Sequence, residues 1–200
     1  MNILSIESSF DVCGTSLILS GKHIDTVETT EPKMHSKFLA VYVNEILRKN
    51  KTTIEEIDRI AISVGPGSYT GLRIGVSLAK GLALPFGKPI HPVDSFEIAR
   101  SQISEKSNFS IAFLSHRNFV YHCYIDEKGS MSIPEICSIN KVVAKKIYGY
   151  NLKIISESIN YTEIKPSAKV LAEYALENSN IDLPAINKIS PIYLSVSNED

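Results

Sequence analysis

Apolar residues recur along this chain with two periods, and the switches between them divide it into elements. Ile3–Glu7 reads as a strand, Val12–Leu19 as a second, and Gly21-Lys22 turns the chain into a third from His23 to Thr29. Pro32 breaks that pattern. Beyond it Phe38, Leu39, Tyr42, Val43, Ile46 and Leu47 return at three- and four-residue spacing, which predicts an amphipathic helix of about four turns. Asn50 stops it, and Arg48 and Lys49 suit its negative end. Thr52-Thr53 ahead of Glu55-Glu56 starts a short helix, Arg59–Val64 is a strand, and Gly65-Pro66-Gly67 ends it abruptly. A helix from Thr70 to Leu84 follows, stopped by Pro85 and Gly87. Downstream, Ser110–Leu114, Phe119–Ile125 and Met131–Ile139 read as strands, Lys141–Tyr148 as a short helix, Leu152–Ser156 as a strand and Ser167–Asn178 as a helix.

The second half thus repeats the plan of the first more loosely, and the polar stretch Ser101–Asn108 marks a seam. The expectation is an α/β chain of two βββαβα lobes, residues 1–100 and 101–200, the second degenerate. That element order is shared by actin-like ATPases (the ASKHA, RNase H-like class) and sugar kinases.

Composition narrows the function classes. Lys and Arg number 21 against 22 Asp and Glu, a formal net charge of -1, so no basic excess favours nucleic acid or an anionic membrane. The three cysteines, Cys13, Cys123 and Cys137, form an odd, widely spaced set with no CxxC, which suggests neither a disulfide framework nor a cysteine-based metal site and fits a reducing cytosol. No apolar run approaches the roughly 18 residues of a membrane span, and the amino terminus carries no basic targeting region. A cytoplasmic chain is expected.

The most informative stretch is Gly65-Pro-Gly-Ser-Tyr-Thr-Gly-Leu-Arg-Ile-Gly75. Glycines where a strand enters a helix let backbone approach a phosphate, so Gly65, Gly67, Ser68 and Arg73 are candidates for a nucleotide turn, with Glu7 and Asp11 as its acids. The familiar spacings are absent. Thr70 stands where a Walker loop needs its second glycine, and Gly71 comes one residue late for a dinucleotide fingerprint. A tight turn that binds nothing is an equal reading. In the helix beyond, Gly71, Gly75, Ala79 and Ala83 fall every fourth residue, a stripe that admits a very close neighbour from the same chain or from a partner. No histidine pairs at metal-ligand spacing with another histidine or a cysteine except the adjacent His122-Cys123, which point to opposite faces of a strand, and no metal or cofactor is expected.

Ile3–Ser9, His35-Ser36, the run ISVGPGSYTGLRIG over Ile62–Gly75, and Ala79–Ala83 together resemble the TsaB/YeaZ family, the bacterial partner subunits in synthesis of threonylcarbamoyladenosine on transfer RNA. The likeness is good from Ile3 to about Ala99 and weaker beyond, where Ser115, His116 and Ser195 depart from the family's Asp, Ala and Arg. The resemblance implies an actin-like, two-lobed fold without an intact catalytic site, paired with a catalytic paralogue, TsaD. The paralogue's two metal-binding histidines correspond here to Ser95 and Ala99, and neither ligates a metal. It further implies a scaffold that meets TsaD through the Met34–Lys49 and Thr70–Leu84 helices, with His35, Phe38, Leu39, Val43, Ile46, Leu47, Gly71, Leu72, Gly75, Val76, Leu78, Ala79 and Ala83 at the interface. The resemblance implies too that an ATPase, TsaE, docks on that heterodimer, and a homodimer through the same face is an expectation for the chain alone. A stand-alone ATPase or kinase using Glu7, Asp11 and the Gly65–Gly71 turn is the enzyme alternative. An RNase H-like nuclease needs more strand-end carboxylates than this chain offers.

Overall fold

The computed structural model describes residues 1–31 and 35–195. It divides into two compact units, Met1–Ile98 with Pro166–Ile192, and Ala99–Lys165 with the end of the chain from Tyr193. Each is built on a five-stranded sheet.

In the first unit β1 (Ile3–Glu7), β2 (Cys13–Leu19) and β3 (Lys22–Thr29) form an antiparallel meander, and β4 (Arg59–Gly65) and β5 (Ile90–Asp94) extend it parallel to β1. The order is β3-β2-β1-β4-β5. The parallel strands are buried on both faces, which explains their continuous apolar runs. Side-chain alternation splits those runs between two cores. Leu4, Ile6, Leu17, Ile60 and Ile62 face α1 (His35–Lys49) and α2 (Tyr69–Ala83), while Ile3, Ile18, Ala61 and Val93 face α4 (Ala168–Glu177). Each of these isoleucine, leucine and valine side chains, fully buried, contributes about 1.5–3 kcal/mol.

The helix ends follow the sequence signals. Asn50 Nδ2 returns to the Ile46 carbonyl at 2.8 Å, and Lys49 pairs with Asp25 of β3 at 2.9 Å. The short helix after Thr53 is one 3₁₀ turn, Ile54–Glu56, whose Glu56 carboxylate accepts from the Thr53 amide and the Thr52 hydroxyl. The α4 helix is capped twice, by the Ser167 hydroxyl on the Lys169 amide and by Glu28 on the Ala168 amide. Glu28 thus anchors α4 to β3, and the Ser5 hydroxyl donates to the Ala168 carbonyl at 2.6 Å.

The Ser167–Asn178 helix, expected in the lobe 101–200, groups instead with the first unit, where α4 closes the open face of the sheet. Without it Ile3, Ile18 and Val93 would lie bare.

The second unit starts within α3 (Ser95–Ser101), at Ala99. It holds β6 (Phe109–His116), β7 (Phe119–Ile125), β8 (Glu135–Ser138), β9 (Ile147–Tyr150) and β10 (Thr162–Glu163), ordered β10-β9-β6-β7-β8. Counted from its own first strand, that is the order of the first sheet read from the other edge. Both sheets therefore carry the strand plan of the actin-like, RNase H-like class. The degeneracy is physical: the crossovers before β9 and β10 shrink to 3₁₀ turns, Ile139–Lys141 and Leu152–Ile154, and β10 has two residues. The helix expected over Lys141–Tyr148 and the strand over Leu152–Ser156 are not formed. Ile147–Tyr150 instead pairs with β6 as β9, because its apolar side chains complete that sheet. No described helix is long and apolar enough to cross a membrane.

Candidate functional site

In an open α/β sheet, ligands gather at the carboxyl ends of the parallel strands. Here those ends bring together Glu7 of β1, the Gly65–Ser68 turn after β4 and Asp94 of β5. Glu7 is fully buried. Its Oε1 accepts from the Ser9 amide at 2.7 Å, the Ser9 hydroxyl at 2.5 Å and the Ser63 hydroxyl at 2.8 Å. Its Oε2 is buried without a hydrogen-bond partner among the described residues, and burial raises its pKa above the usual carboxylate range. Burial likewise pushes Asp94 up to about 6, although its Oδ1 accepts from the Phe96 amide at 2.7 Å.

The glycine turn is shaped by its own chain. A Cβ on Gly67 would lie 1.9 Å from the Ser9 carbonyl oxygen, one on Gly71 2.2 Å from the Ser8 carbonyl oxygen, and one on Gly75 2.1 Å from Ser8 Oγ. The Ser68 amide donates to the Ser9 carbonyl, and the Ser68 hydroxyl caps α2 by accepting from the Gly71 amide at 3.2 Å. Gly65 adopts φ +107°, and a Cβ there would meet the Ile192 carbonyl oxygen at 2.8 Å. The glycines let the β1–β2 connection and residue 192 press against the turn. Arg73 is exposed and lies over the Tyr69 ring, 4.0 Å from its centroid. Ser95 is buried.

Of the residues expected at a partner interface, Leu39, Val43, Ile46, Gly71, Leu72, Gly75, Val76, Ala79 and Ala83 are buried in the first unit. Within the small-residue stripe, Gly71 lies against Ser8, and Gly75 against Ser8 and Ile62, all of the same chain. Phe38, Leu47 and Leu78 are half-buried, and the His35 side chain lies outside the described part. The outward faces carry other residues. Val41 is 52% and Tyr69 55% exposed, with Tyr42, Ile74 and Leu82 half-buried beside them. Gly81 sits in the last turns of α2 with nothing within 4 Å of the place its Cβ would take, among the described residues. Val41 and Gly81 fall out of phase with the core-facing positions, and that phase was the one signal in the sequence that marked them.

Comparison with known proteins fits this architecture. Residues 28–127, which include α1 and α2, match the family described as "TsaD: tRNA N6-adenosine threonylcarbamoyltransferase". The tRNA threonylcarbamoyladenosine biosynthesis protein TsaB of Buchnera aphidicola is 28% identical over 210 residues, 99% of this chain and 91% of that one. YeaZ from Pseudomonas aeruginosa superposes with a TM-score of 0.79 at 19% identity, over 96% of this chain and 99% of its own. Component A of the (R)-2-hydroxyglutaryl-CoA dehydratase of Acidaminococcus fermentans shares the fold at TM-score 0.50 and 7% identity, over 88% and 97%. By its glycine turn, its strand order and these likenesses, the chain belongs to the TsaB/YeaZ family of threonylcarbamoyladenosine-synthesis proteins.

Proposed function

We propose that the chain is a non-catalytic scaffold subunit of threonylcarbamoyladenosine synthesis that binds and activates the catalytic threonylcarbamoyltransferase. The observation that carries this is the outward face of α1 and α2. It combines exposed Val41 and Tyr69 with half-buried Tyr42, Ile74 and Leu82 on the same two helices and an open space at Gly81. Exposed apolar side chains and a bare glycine on helix surfaces suit a close helix–helix contact. The partner follows from the same segment. Because residues 28–127 match the transferase family, the transferase carries counterpart helices, and the two pairs pack about a pseudo-two-fold axis. The scaffold then acts by favouring the transferase's productive conformation, a population shift without local chemistry. The same face pairs with a second copy when the transferase is absent, and the complex, not this chain alone, recruits the TsaE ATPase. The work is done in the cytoplasm.

Several features support the lack of chemistry in this chain. Glu7 spends one carboxylate oxygen on Ser9 and Ser63, Ser68 is a helix cap, and Arg73 lies over Tyr69. Reconstitution tests the reading. Modified nucleoside on transfer RNA should form when the threonylcarbamoyl donor, the transferase and this chain are combined, and drop at least tenfold when this chain is left out. Equal product without it, together with ATP hydrolysis by the chain alone, would favour the kinase-like alternative.

A further inference from the structure

We propose that His122, Glu135 and Cys137 form a zinc site on the outer hairpin of the second sheet. His122 lies on β7, and Glu135 and Cys137 lie on β8. The register sets His122 opposite Glu135 and Val120 opposite Cys137, so alternation puts all three on one face. One ligand atom from each lies within 4.8 Å of the others. Tetrahedral zinc, with bonds of about 2.0–2.3 Å, sets neighbouring donors about 3.3–3.7 Å apart. His122 Nδ1 and Glu135 Oε1 are already 3.3 Å apart, so only the sulfur has to close, by about 1 Å.

The surrounding groups fit the same ion. His122 Nε2 lies 3.0 Å from the buried Ser110 hydroxyl. With Nε2–H donated to Ser110, the Nδ1 lone pair faces the Glu135 carboxylate, and a cation fits between the two acceptors. A proton on Nδ1 serves that pair alone, whereas zinc also engages Cys137. Thiolate, carboxylate and neutral imidazole sum to a charge of −2, which balances the ion. Binding displaces the Cys137 thiol proton to solvent. Thiolate and imidazole select zinc over magnesium or calcium. The Glu135 side chain is 54% exposed and β8 is the edge strand, so the ion enters from water and keeps a water as fourth ligand. Bound there, it clips the outermost strand to β7. Spacing along the chain conceals the site. The neighbouring Cys123 faces away, opposite Ile111, and the donors meet only across the ladder.

The full chain, stripped with a chelator, is titrated with cobalt(II) as a spectroscopic stand-in for zinc. One equivalent should produce a thiolate-to-cobalt charge-transfer band and tetrahedral d–d absorption, both displaced by zinc, and zinc should raise the unfolding temperature. Cys137→Ser should abolish the charge-transfer band, while Cys13→Ser and Cys123→Ser keep it. Ser110→Ala should keep it with affinity about 10–100-fold weaker. Glu135→Gln, at an exposed position that does not threaten the fold, should weaken cobalt binding at least tenfold. No band in the stripped wild-type chain, or unchanged affinity in Glu135→Gln, would overturn the site.

Discussion

Glycine-to-alanine substitution at two positions of α2 separates its inner face from its outer one. At Gly71 the new methyl would lie 2.2 Å from the Ser8 carbonyl oxygen, which is backbone and cannot rotate away. Overpacking of this kind costs about 1–3 kcal/mol, and a site closed by backbone belongs in the upper half of that range. At Gly81 the methyl meets nothing, and alanine is the better helix former by about 1 kcal/mol. Gly71→Ala should therefore destabilise the chain by about 2 kcal/mol and Gly81→Ala stabilise it by about 1 kcal/mol. For a chain of this size that corresponds to a fall in Tm of about 4–8 °C and a rise of about 2–4 °C. Thermal unfolding followed by far-ultraviolet circular dichroism reads both. Gly81→Ala should also weaken binding to the transferase, because the methyl fills the space proposed for the partner. If Gly71→Ala is neutral while Gly81→Ala destabilises the isolated chain, the two faces have been assigned the wrong way round.

Three further outcomes follow from the same structure. His91 is buried beside Arg59 and its pKa is lowered to about 4 by burial and then by the guanidinium. The unfolded chain takes up that proton first, so stability falls by up to about 3 kcal/mol as pH drops from about 6.5 to 4. Asp94, raised to about 6, binds its proton more readily when folded, so its contribution is lost as pH rises from about 4 to 6, by up to about 2–3 kcal/mol. The two slopes oppose each other. In urea unfolding, Asp94→Asn should steepen the acid loss and His91→Gln should reverse its sign, and parallel profiles for all three chains would refute the assignment. Glu28→Ala removes the carboxylate from the start of α4 and should cost about 1 kcal/mol, read as a lower urea midpoint. Val43→Glu buries an unpaired carboxylate in the core of the first unit and should unfold it, whereas Val41→Glu changes stability by less than about 0.5 kcal/mol.

What the sequence disclosed depended on how local the governing interaction was. The α1 stop at Asn50, the Ser167 cap and the strand–turn–helix around Gly65 are decided within a few residues, and their patterns read correctly. The Gly71–Ala83 stripe was legible as a close-packing device, but whether its neighbour was Ser8 or a partner is a tertiary fact. Periodicity picked out Val43 and Ile46 strongly because they face the core, and for that reason it pointed away from Val41. The second sheet was harder. Its crossover helices have eroded to single turns, so the apolar positions of Ile147–Tyr150 lost the punctuation that would have marked a strand. The return of α4 to the first sheet depends on Glu28 and Ser5, which lie more than a hundred residues away.

The central claim is that the outward face of α1 and α2 binds the threonylcarbamoyltransferase. Isothermal titration of the transferase from the same cell with the wild-type chain and with Val41→Glu tests it most directly. The wild type should bind one-to-one, and a Val41→Glu chain that unfolds at an unchanged temperature should bind at least a hundredfold more weakly. No binding by the wild type, or equal affinity in the two chains, would contradict it.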